Sequence, residues 1–332
     1  MTARHIHTPV AALPQVDDTI ELVERAELLG YDHAWVPETW GHDAVSTLAA
    51  ASQRVDRIGL GTSIANVYAR SPALLGQTAA TLGELAPGPF RLGIGPSGPA
   101  LVEGWHGIEY DRPLRRSREA AEIIKAVLTG DVVHYEGDIF HLDGFRLRNS
   151  PPETDISVDL AGLGPKSVEL AGFIGDGWHA MLATPDGIRA QLEHLERGCE
   201  RAGRTLADVD VVLGITCCAL PDRSEARRLA AGHIAFYTGA MGPFYGKALA
   251  RQGYEELARD VASAWQAGDR DAAIERVEAD LLDDIAIAGT PSEAREQLDR
   301  FTDLAGIDAV AVSFPRGATL DHLHDTLDAL AP

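Results

Sequence analysis

Residues 57–95, RIGLGTSIANVYARSPALLGQTAATLGELAPGPFRLGIG, decide the fold of this chain. They begin with an apolar run broken by glycines, which is typical of a buried strand. Ser71 followed by Pro72 predicts the start of a helix, and Pro87-Gly88 predicts its end before a second strand at 90–95. The segment is therefore expected to form a parallel strand–helix–strand unit, in which the polar loop after the first strand faces a ligand.

The rest of the chain repeats this alternation of short apolar strands and amphipathic helices. The strands predicted at 156–161 and 306–314 are clear examples, and residues 224–281 are rich in helix, with a loop expected at 239–246. Repeated units of this kind form either an eight-stranded barrel or a doubly wound sheet.

Glycine spacing favours the barrel over the doubly wound sheet. Gly59-x-Gly61 lacks the third glycine of a dinucleotide fingerprint, and Gly93-x-Gly95-x-x-Gly98 lies in the wrong context for such a turn. We therefore predict an α/β protein with a single (β/α)8 TIM barrel over residues 1–332 and a helix-rich insertion around 225–285.

The charge of the chain excludes one class of partner. Its 50 acidic and 29 basic residues give a formal net charge of −21, whereas a nucleic-acid-binding protein needs a basic surface. Lysine occurs only at positions 125, 166 and 247. An acidic, lysine-poor surface indicates a halophilic protein, and we interpret the source as a haloarchaeon. An acidic mesophilic protein from a GC-rich genome would show the same preference for arginine.

Other features of the chain point to the cytoplasm. It contains no run of 18 or more apolar residues and no leader segment, so we expect a cytoplasmic protein with no membrane partner. Cys199, Cys217 and Cys218 show no ligand spacing, and the adjacent pair would alternate between the faces of a strand. We therefore expect neither a metal site nor a structural disulfide.

Three blocks of sequence resemble one known superfamily. Residues 60–95, 159–178 (DLAGLGPKSVELAGFIGDGW) and 287–314 (IAGTPSEAREQLDRFTDLAGIDAVAVSF) occur in the order found in the luciferase-like flavin and deazaflavin enzymes. They are most similar to the branch of coenzyme F420-dependent reductases that includes methylene-tetrahydromethanopterin reductase. The resemblance covers nearly the whole chain and is loosest from about 225 to 285. It implies a barrel of the bacterial luciferase type, F420 as cofactor, a small-molecule substrate and a homodimer.

The resemblance also implies how the cofactor ring is held. It places a nonprolyl cis peptide at Ser63-Ile64, in a bulge that supports the central ring. Asn66 could reach the pyrimidine edge of the ring with its amide, or could instead bond its own loop. Gly95 and the nearby Gly98 could let the backbone approach the ligand, or could be ordinary turn glycines.

A second loop is expected to bind the cofactor phosphate. Its residues are Ala161, Gly162, Leu163, Gly164, Pro165, Lys166 and Ser167. They place free backbone N–H groups at a helix N-terminus, and such groups bind phosphate without a basic side chain. Lys166 would add charge there or would simply face solvent, and the scarcity of lysine favours the first interpretation.

The catalytic residues depart from the family pattern. Glu38-Thr39 stands where many deazaflavin enzymes carry Asp-His. In the sugar-phosphate dehydrogenases of this superfamily that histidine transfers a proton, so its absence here disfavours sugar-phosphate oxidation. Glu38 is nevertheless the predicted catalytic and cofactor-binding carboxylate, and His7 is the second catalytic candidate, with His179 as a substitute by position only. A lone histidine is more often a bonded structural residue.

The predicted activity is hydride transfer between carbon C5 of the deazaflavin and a small organic substrate. Two alternatives stay open at this stage, namely an FMN-dependent monooxygenase of the same superfamily and a protein that binds a flavin or deazaflavin without turnover. The deazaflavin does not activate oxygen as FMN does, so oxygen consumption separates the first two. Trp40, Trp105 and Tyr68 would either line the substrate pocket or cover the barrel rim.

Overall fold

The computed structural model describes residues 2–149 and 156–332. Its strands are β1 (Ala3–His7), β2 (His33–Val36), β3 (Gly59–Asn66), β4 (Phe90–Gly95), β5 (Val133–Glu136), β6 (His141–Phe145), β7 (Ser157–Ala161), β8 (Gly177–Met181), β9 (Asp210–Ala219), β10 (Ala286–Gly289) and β11 (Ala309–Ser313).

Helices alternate with these strands along most of the chain. They are α1 (Val16–Leu29), α2 (Ala44–Ala51), α3 (Pro72–Leu85), α4 (Pro99–Gly104), α5 (Pro113–Leu128), α6 (Pro165–Ile174), α7 (Pro185–Arg201), α8 (Arg223–Ala240), α9 (Pro243–Ala250), α10 (Glu255–Gln266), α11 (Arg270–Asp280), α12 (Leu282–Ile285), α13 (Pro291–Thr302) and α14 (Leu320–Ala329). A short 3-10 helix covers Leu206–Asp208. Within the described ranges, no helix is both long and apolar enough to cross a membrane.

Eight parallel strands close into a barrel. Their order is β9-β11-β1-β2-β3-β4-β7-β8, and pairing of β8 with β9 completes the circle. Strand β10 pairs with the C-terminal part of β9, while β5 and β6 form a separate antiparallel hairpin. Because the barrel strands are parallel and successive strands are joined by outer helices, the fold is a TIM barrel, as predicted.

The segment at 57–95 forms the predicted strand–helix–strand unit. The Ser71 hydroxyl accepts a hydrogen bond from the backbone N–H of Leu74 at 3.2 Å, which caps α3 immediately before Pro72. The register between β3 and β4 shifts between Thr62 and Ala65, and the Ser63-Ile64 peptide bond inside this bulge is cis, which confirms that prediction.

Aromatic and imidazole rings fill the middle of the barrel, and glycines on neighbouring strands leave room for them. A Cβ atom on Gly61 would lie 2.6 Å from the Trp35 ring, and one on Gly214 would lie 2.9 Å from the His7 ring. A Cβ atom on Gly59 would likewise lie too close to the His33 ring. These glycines are required because each ring occupies the volume that a side chain at the glycine position would need.

The helices α8 to α12 lie between β9 and β10 and pack around their own apolar cluster. Its buried members include Ile234, Leu249, Leu257 and Val261. The loop expected at 239–246 is wrong in extent, because α8 continues to Ala240 and α9 begins at Pro243. Gly242 makes this turn with a φ of 103°, which lets a proline start the next helix at once. The short helix α4 was also not predicted, because Gly98 before it resembled a turn glycine.

Glu27 at the end of α1 anchors the chain where it enters β3. Its Oε1 atom accepts hydrogen bonds from the backbone N–H groups of Asp56, Arg57 and Ile58 at 3.0, 2.7 and 2.8 Å. Burial alone would raise the pKa of this carboxyl, but the hydrogen bonds from the three N–H groups lower it below its ordinary value.

Replacement of Glu27 by alanine is expected to lower the free energy of unfolding by about 2 kcal/mol, because three backbone donors, of which only that of Ile58 is buried, lose a charged acceptor. The stabilisation by Glu27 is present above the ordinary carboxyl pKa and disappears as the pH falls through the depressed pKa of the folded state. Urea unfolding as a function of pH measures both effects. Glu21→Ala on the exposed side of α1 is the control and should change stability by less than about 0.5 kcal/mol.

Candidate active site

The C-terminal ends of the barrel strands bring several predicted site residues together. A Cβ atom on Gly95 would lie 3.3 Å from Cγ1 of Ile64 and 3.4 Å from Cβ of Ala161, so β3, β4 and β7 meet here. His7 and Ser313 end β1 and β11 at the same mouth, and their side chains bond at 2.7 Å. This mouth is the face on which TIM barrels build their active sites.

The carboxylate of Glu38 is engaged in two strong contacts. Its Oε1 atom accepts a hydrogen bond from Nε of Arg70 at 2.7 Å, and its Oε2 atom accepts one from the backbone N–H of Asn66 at 2.9 Å. The side chain is only 10% exposed. Glu38 therefore fixes the end of β3, and its predicted catalytic role stays a prediction.

Asn66 is completely buried at the end of β3. Its Oδ1 atom accepts a hydrogen bond from the backbone N–H of Tyr68 at 2.9 Å, so the side chain does bond its own loop. Its Nδ2 atom has no hydrogen-bond partner among the described residues. A buried amide donor without a partner is costly, so this atom is suited to a ligand acceptor at the mouth.

His7 is a neutral imidazole at physiological pH. Burial of the ring, followed by the nearby His179 and His5 rings, lowers the pKa of His7 to about 3. Nδ1 bonds the Ser313 hydroxyl, whereas Nε2 is buried without a partner in the part of the chain that the structure describes. His7 is therefore suited to hydrogen bonding with a ligand, while the low pKa makes it a weak base.

A chain of polar side chains crosses the barrel interior below the mouth, and we call Ser63, His179, Asp159 and Arg91 the floor chain. The Ser63 hydroxyl lies 3.0 Å from Nδ1 of His179, and Nε2 of His179 lies 3.2 Å from Oδ2 of Asp159. Arg91 then pairs with both oxygens of Asp159 at 2.8 Å and also contacts Asp210. Sequence analysis named Ser63 and His179 but did not connect them to Asp159 and Arg91.

Opposing effects set the charge of Asp159. Its side chain is completely buried, which alone would raise the pKa of the carboxyl. The hydrogen bond from His179 and the guanidinium of Arg91 outweigh burial and lower the pKa below its ordinary value. Asp159 is thus an ionised, fully bonded carboxylate inside the barrel.

The predicted phosphate loop lies at the N-terminus of α6. The Gly162–Ser167 contact is close, since a Cβ on Gly162 would lie 2.6 Å from the Ser167 hydroxyl oxygen. The side chain of Lys166 is exposed, and its backbone N–H makes no hydrogen bond within the described residues. Such an N–H is normal in the first turn of a helix and can bind an anion.

An arginine that was not predicted from the sequence as a site residue lies beside this loop. Nη1 of Arg251, which directly follows α9, lies 3.5 Å from the carbonyl oxygen of Leu163. Over residues 2–149 and 156–332, Arg251 has no acidic side chain within ion-pair distance. It borders a cavity of about 310 Å³ that also contacts Pro165 and the start of α7. Because Arg251 belongs to the insertion, no local motif marked it as part of the site.

Comparison with known proteins agrees with this geometry. The family model for luciferase-like monooxygenases matches residues 1–308. The chain belongs to this luciferase-like family. One relative is a Mycobacterium tuberculosis protein whose name describes a coenzyme F420-dependent oxidoreductase and gives no substrate. It is 32% identical over 311 residues, which cover 88% of this chain and 89% of the relative.

Two further comparisons concern reductases. The 5,10-methylenetetrahydromethanopterin reductase of Archaeoglobus fulgidus is 30% identical over 301 residues, covering 89% of each chain. The structure of the coenzyme F420-dependent tetrahydromethanopterin reductase of Methanopyrus kandleri superposes with a TM-score of 0.85 at 24% identity, covering 99% of this chain and 98% of that one. The structural similarity supports the luciferase-like barrel fold.

Aromatic side chains of the insertion meet the loops of the luciferase-like barrel. Trp40, which follows β2, lies 6.4 Å from Phe236 of α8, and Tyr110 lies 6.0 Å from Phe244 of α9, measured between ring centroids. Tyr68 stacks on Tyr110 at 5.3 Å. Trp40 and Tyr68 are therefore part of an aromatic group between barrel and insertion, whereas Trp105 is 64% exposed.

The residues present fit a planar ring with a phosphate-bearing side chain. The unpartnered Nδ2 of Asn66 and Nε2 of His7 lie at strand ends of the mouth and suit the polar edge of a ring. The free N–H of Lys166 and the guanidinium of Arg251 suit a phosphate. These two sets of donors match the two ends of a flavin-like cofactor.

Asp159→Asn is expected to lower the free energy of unfolding by about 3 kcal/mol, because it leaves the largely buried charge of Arg91 without its main partner. Asp159 contributes stability above the ordinary aspartate pKa, and this contribution is lost as the pH falls through its depressed folded-state pKa. The matched control is Asp210→Asn, which removes the 55% exposed partner of the same arginine and should cost less than about 1 kcal/mol. Equal losses for the two variants in urea unfolding would contradict this assignment.

Proposed function

We propose that this protein is a coenzyme F420-dependent oxidoreductase that transfers hydride between carbon C5 of the deazaflavin and a small organic substrate. The observation that carries the proposal is the contact of Arg251 with the carbonyl oxygen of Leu163, directly before the helix end where a cofactor phosphate would bind. The names of the Mycobacterium tuberculosis and Archaeoglobus fulgidus relatives support an oxidoreductase of this kind.

When bound, the cofactor supplies the hydride chemistry, and the chain supplies binding, orientation and exclusion of water. Ser63, Ile64 and Gly95 would lie against the ring. Asn66 would donate a hydrogen bond from Nδ2 to its polar edge, while Glu38 and Tyr68 keep the asparagine in place. Lys166 and Arg251 would hold the phosphate.

The state of the two candidate bases favours a particular class of substrate. Glu38 is held by Arg70, and burial keeps His7 neutral with a pKa of about 3. Oxidation of an alcohol requires a base that accepts the hydroxyl proton, and neither residue is suited to that task. An already activated carbon, such as the carbon of an iminium group, needs only hydride for its reduction, and the proton that the reduced cofactor would lose can pass to solvent. We therefore propose reduction of such a carbon as the reaction.

Titration of the purified protein in molar salt with F420 is expected to quench the fluorescence of the deazaflavin, because the ring leaves water on binding. FMN in the same titration should bind more weakly. Saturable FMN binding with none for F420 would overturn the cofactor assignment and favour the monooxygenase alternative, which oxygen consumption with reduced FMN would then test. Tight F420 binding without redox change against any activated-carbon substrate would favour a binding protein.

Arg251→Ala is expected to raise the dissociation constant for F420 about ten-fold, because it removes one charge-assisted contact with the phosphate. The control is Arg259→Ala on α10, whose side chain is 64% exposed and whose ion pairs span 3.9–4.0 Å. Fluorescence quenching measures both constants. A deazaflavin fragment that lacks the phosphate should bind wild type and Arg251→Ala equally, and a loss for this fragment as well would contradict the phosphate contact.

We also propose that the protein forms a homodimer in the cytoplasm and is adapted to high salt. The resemblance to the luciferase-like enzymes supports the homodimer. The net charge of −21 supports salt adaptation. Sedimentation velocity at low and at molar salt tests both ideas, and a monomer at every salt concentration would contradict the dimer.

A further inference from the structure

The floor chain determines which nitrogen of His179 carries its proton. Asp159 is ionised and can only accept hydrogen bonds, so Nε2 of His179, at 3.2 Å, must be the donor. When this is the single proton of the ring, Nδ1 is an acceptor. Nδ1 lies 3.0 Å from the Ser63 hydroxyl, which therefore donates its proton to His179.

The His179 ring is fixed in this orientation from several sides. Trp35 packs edge-on against it with ring centroids 4.5 Å apart, and a Cβ atom on Gly93 would lie 3.4 Å from its Nε2. The side chain is 5% exposed. Because the ring is packed and both of its nitrogens are bonded, it has one orientation available.

This arrangement has a consequence for the mouth of the barrel. Ser63 is partly exposed at the bulge of β3, at the upper end of the floor chain. Its hydroxyl proton is committed to the buried histidine, so only the lone pairs of its oxygen are free for a ligand. Ser63 therefore offers an acceptor to whatever lies on the bulge.

We propose that His179 is a positioning residue that orients the Ser63 hydroxyl as a hydrogen-bond acceptor for the bound cofactor. This inference rests on the proposed function, in which the ring lies against the bulge. Asp159 and Arg91 in turn hold His179. The ion pair of Arg91 and Asp159 inside the barrel thus fixes, through His179, the orientation of the Ser63 hydroxyl at its mouth.

Two substitutions of His179 separate positioning from simple structural support. In His179→Asn the amide oxygen can take the place of Nδ1 and accept the Ser63 proton, while the bond to Asp159 is lost. In His179→Gln the longer amide can donate to Asp159 in place of Nε2, while the bond to Ser63 is lost. The asparagine variant therefore retains the hydrogen bond with Ser63, and the glutamine variant retains the hydrogen bond with Asp159.

The dissociation constant for F420, measured by fluorescence quenching, is expected to rise about ten-fold in His179→Gln and in Ser63→Ala. It should stay within about three-fold of wild type in His179→Asn. The double variant Ser63→Ala/His179→Gln should bind no more weakly than either single variant, because both remove the same interaction. Urea unfolding should rank the variants in the opposite order, with His179→Asn less stable than His179→Gln.

Several outcomes would overturn the inference. A purely structural histidine would make affinity follow stability, so stronger binding by His179→Gln than by His179→Asn contradicts positioning. Additive losses in the double variant contradict it as well. If wild type binds FMN and not F420, the proposed function fails. Titration of the same variants with FMN then tests the positioning role of His179 separately. Nitrogen-15 NMR of the ligand-free protein is an independent test, since a proton on Nδ1 of His179, with or without one on Nε2, would overturn the proposal.

Discussion

The ion pair between Arg91 and Asp159 is the interaction on which the barrel interior depends. A completely buried carboxylate is stable only when it is paired and fully hydrogen-bonded, and Arg91 and His179 together meet that demand. The partners come from β4, β7 and β8, and Arg91 also contacts Asp210 at the start of β9. Four neighbouring strands are thus joined by one charge network, and the bulge of β3 lies directly above it through Ser63.

Charge is distributed unevenly between the surface and the site. The molecule carries a net charge of −21, which would repel an anionic ligand at long range. Arg251 has no ion-pair partner among the described residues and lies beside the start of α6, so its charge is available where an anion is proposed to bind. High salt screens the general repulsion but acts less on a close contact. Affinity for the proposed cofactor therefore depends on a few local donors.

Much of the fold followed from sequence because its signals are local. Ser71-Pro72 predicted the start of α3, and the resemblance placed the cis peptide at Ser63-Ile64 correctly. The floor chain was not predicted, because Arg91 and Asp159 lie 68 positions apart and become neighbours only when the barrel closes. Arg251 escaped notice for a similar reason, since it reaches the phosphate loop across 88 positions from a helical insertion without a motif. The catalytic assignments of Glu38 and His7 remain predictions, and the contacts of both residues are now defined.

The glycines opposite the rings have an evolutionary consequence. Gly59 and His33 share one volume, as do Gly214 and His7, so neither member of a pair tolerates enlargement while its partner keeps its size. A lineage that changes the shape of this interior must exchange bulk between the two strands of such a pair in two coordinated substitutions. Related sequences should accordingly show compensated pairs at these positions, with a larger residue on β3 or β9 accompanied by a smaller one on β2 or β1. The interior of the barrel thus evolves pair by pair, whereas its outer surface is free to change one residue at a time.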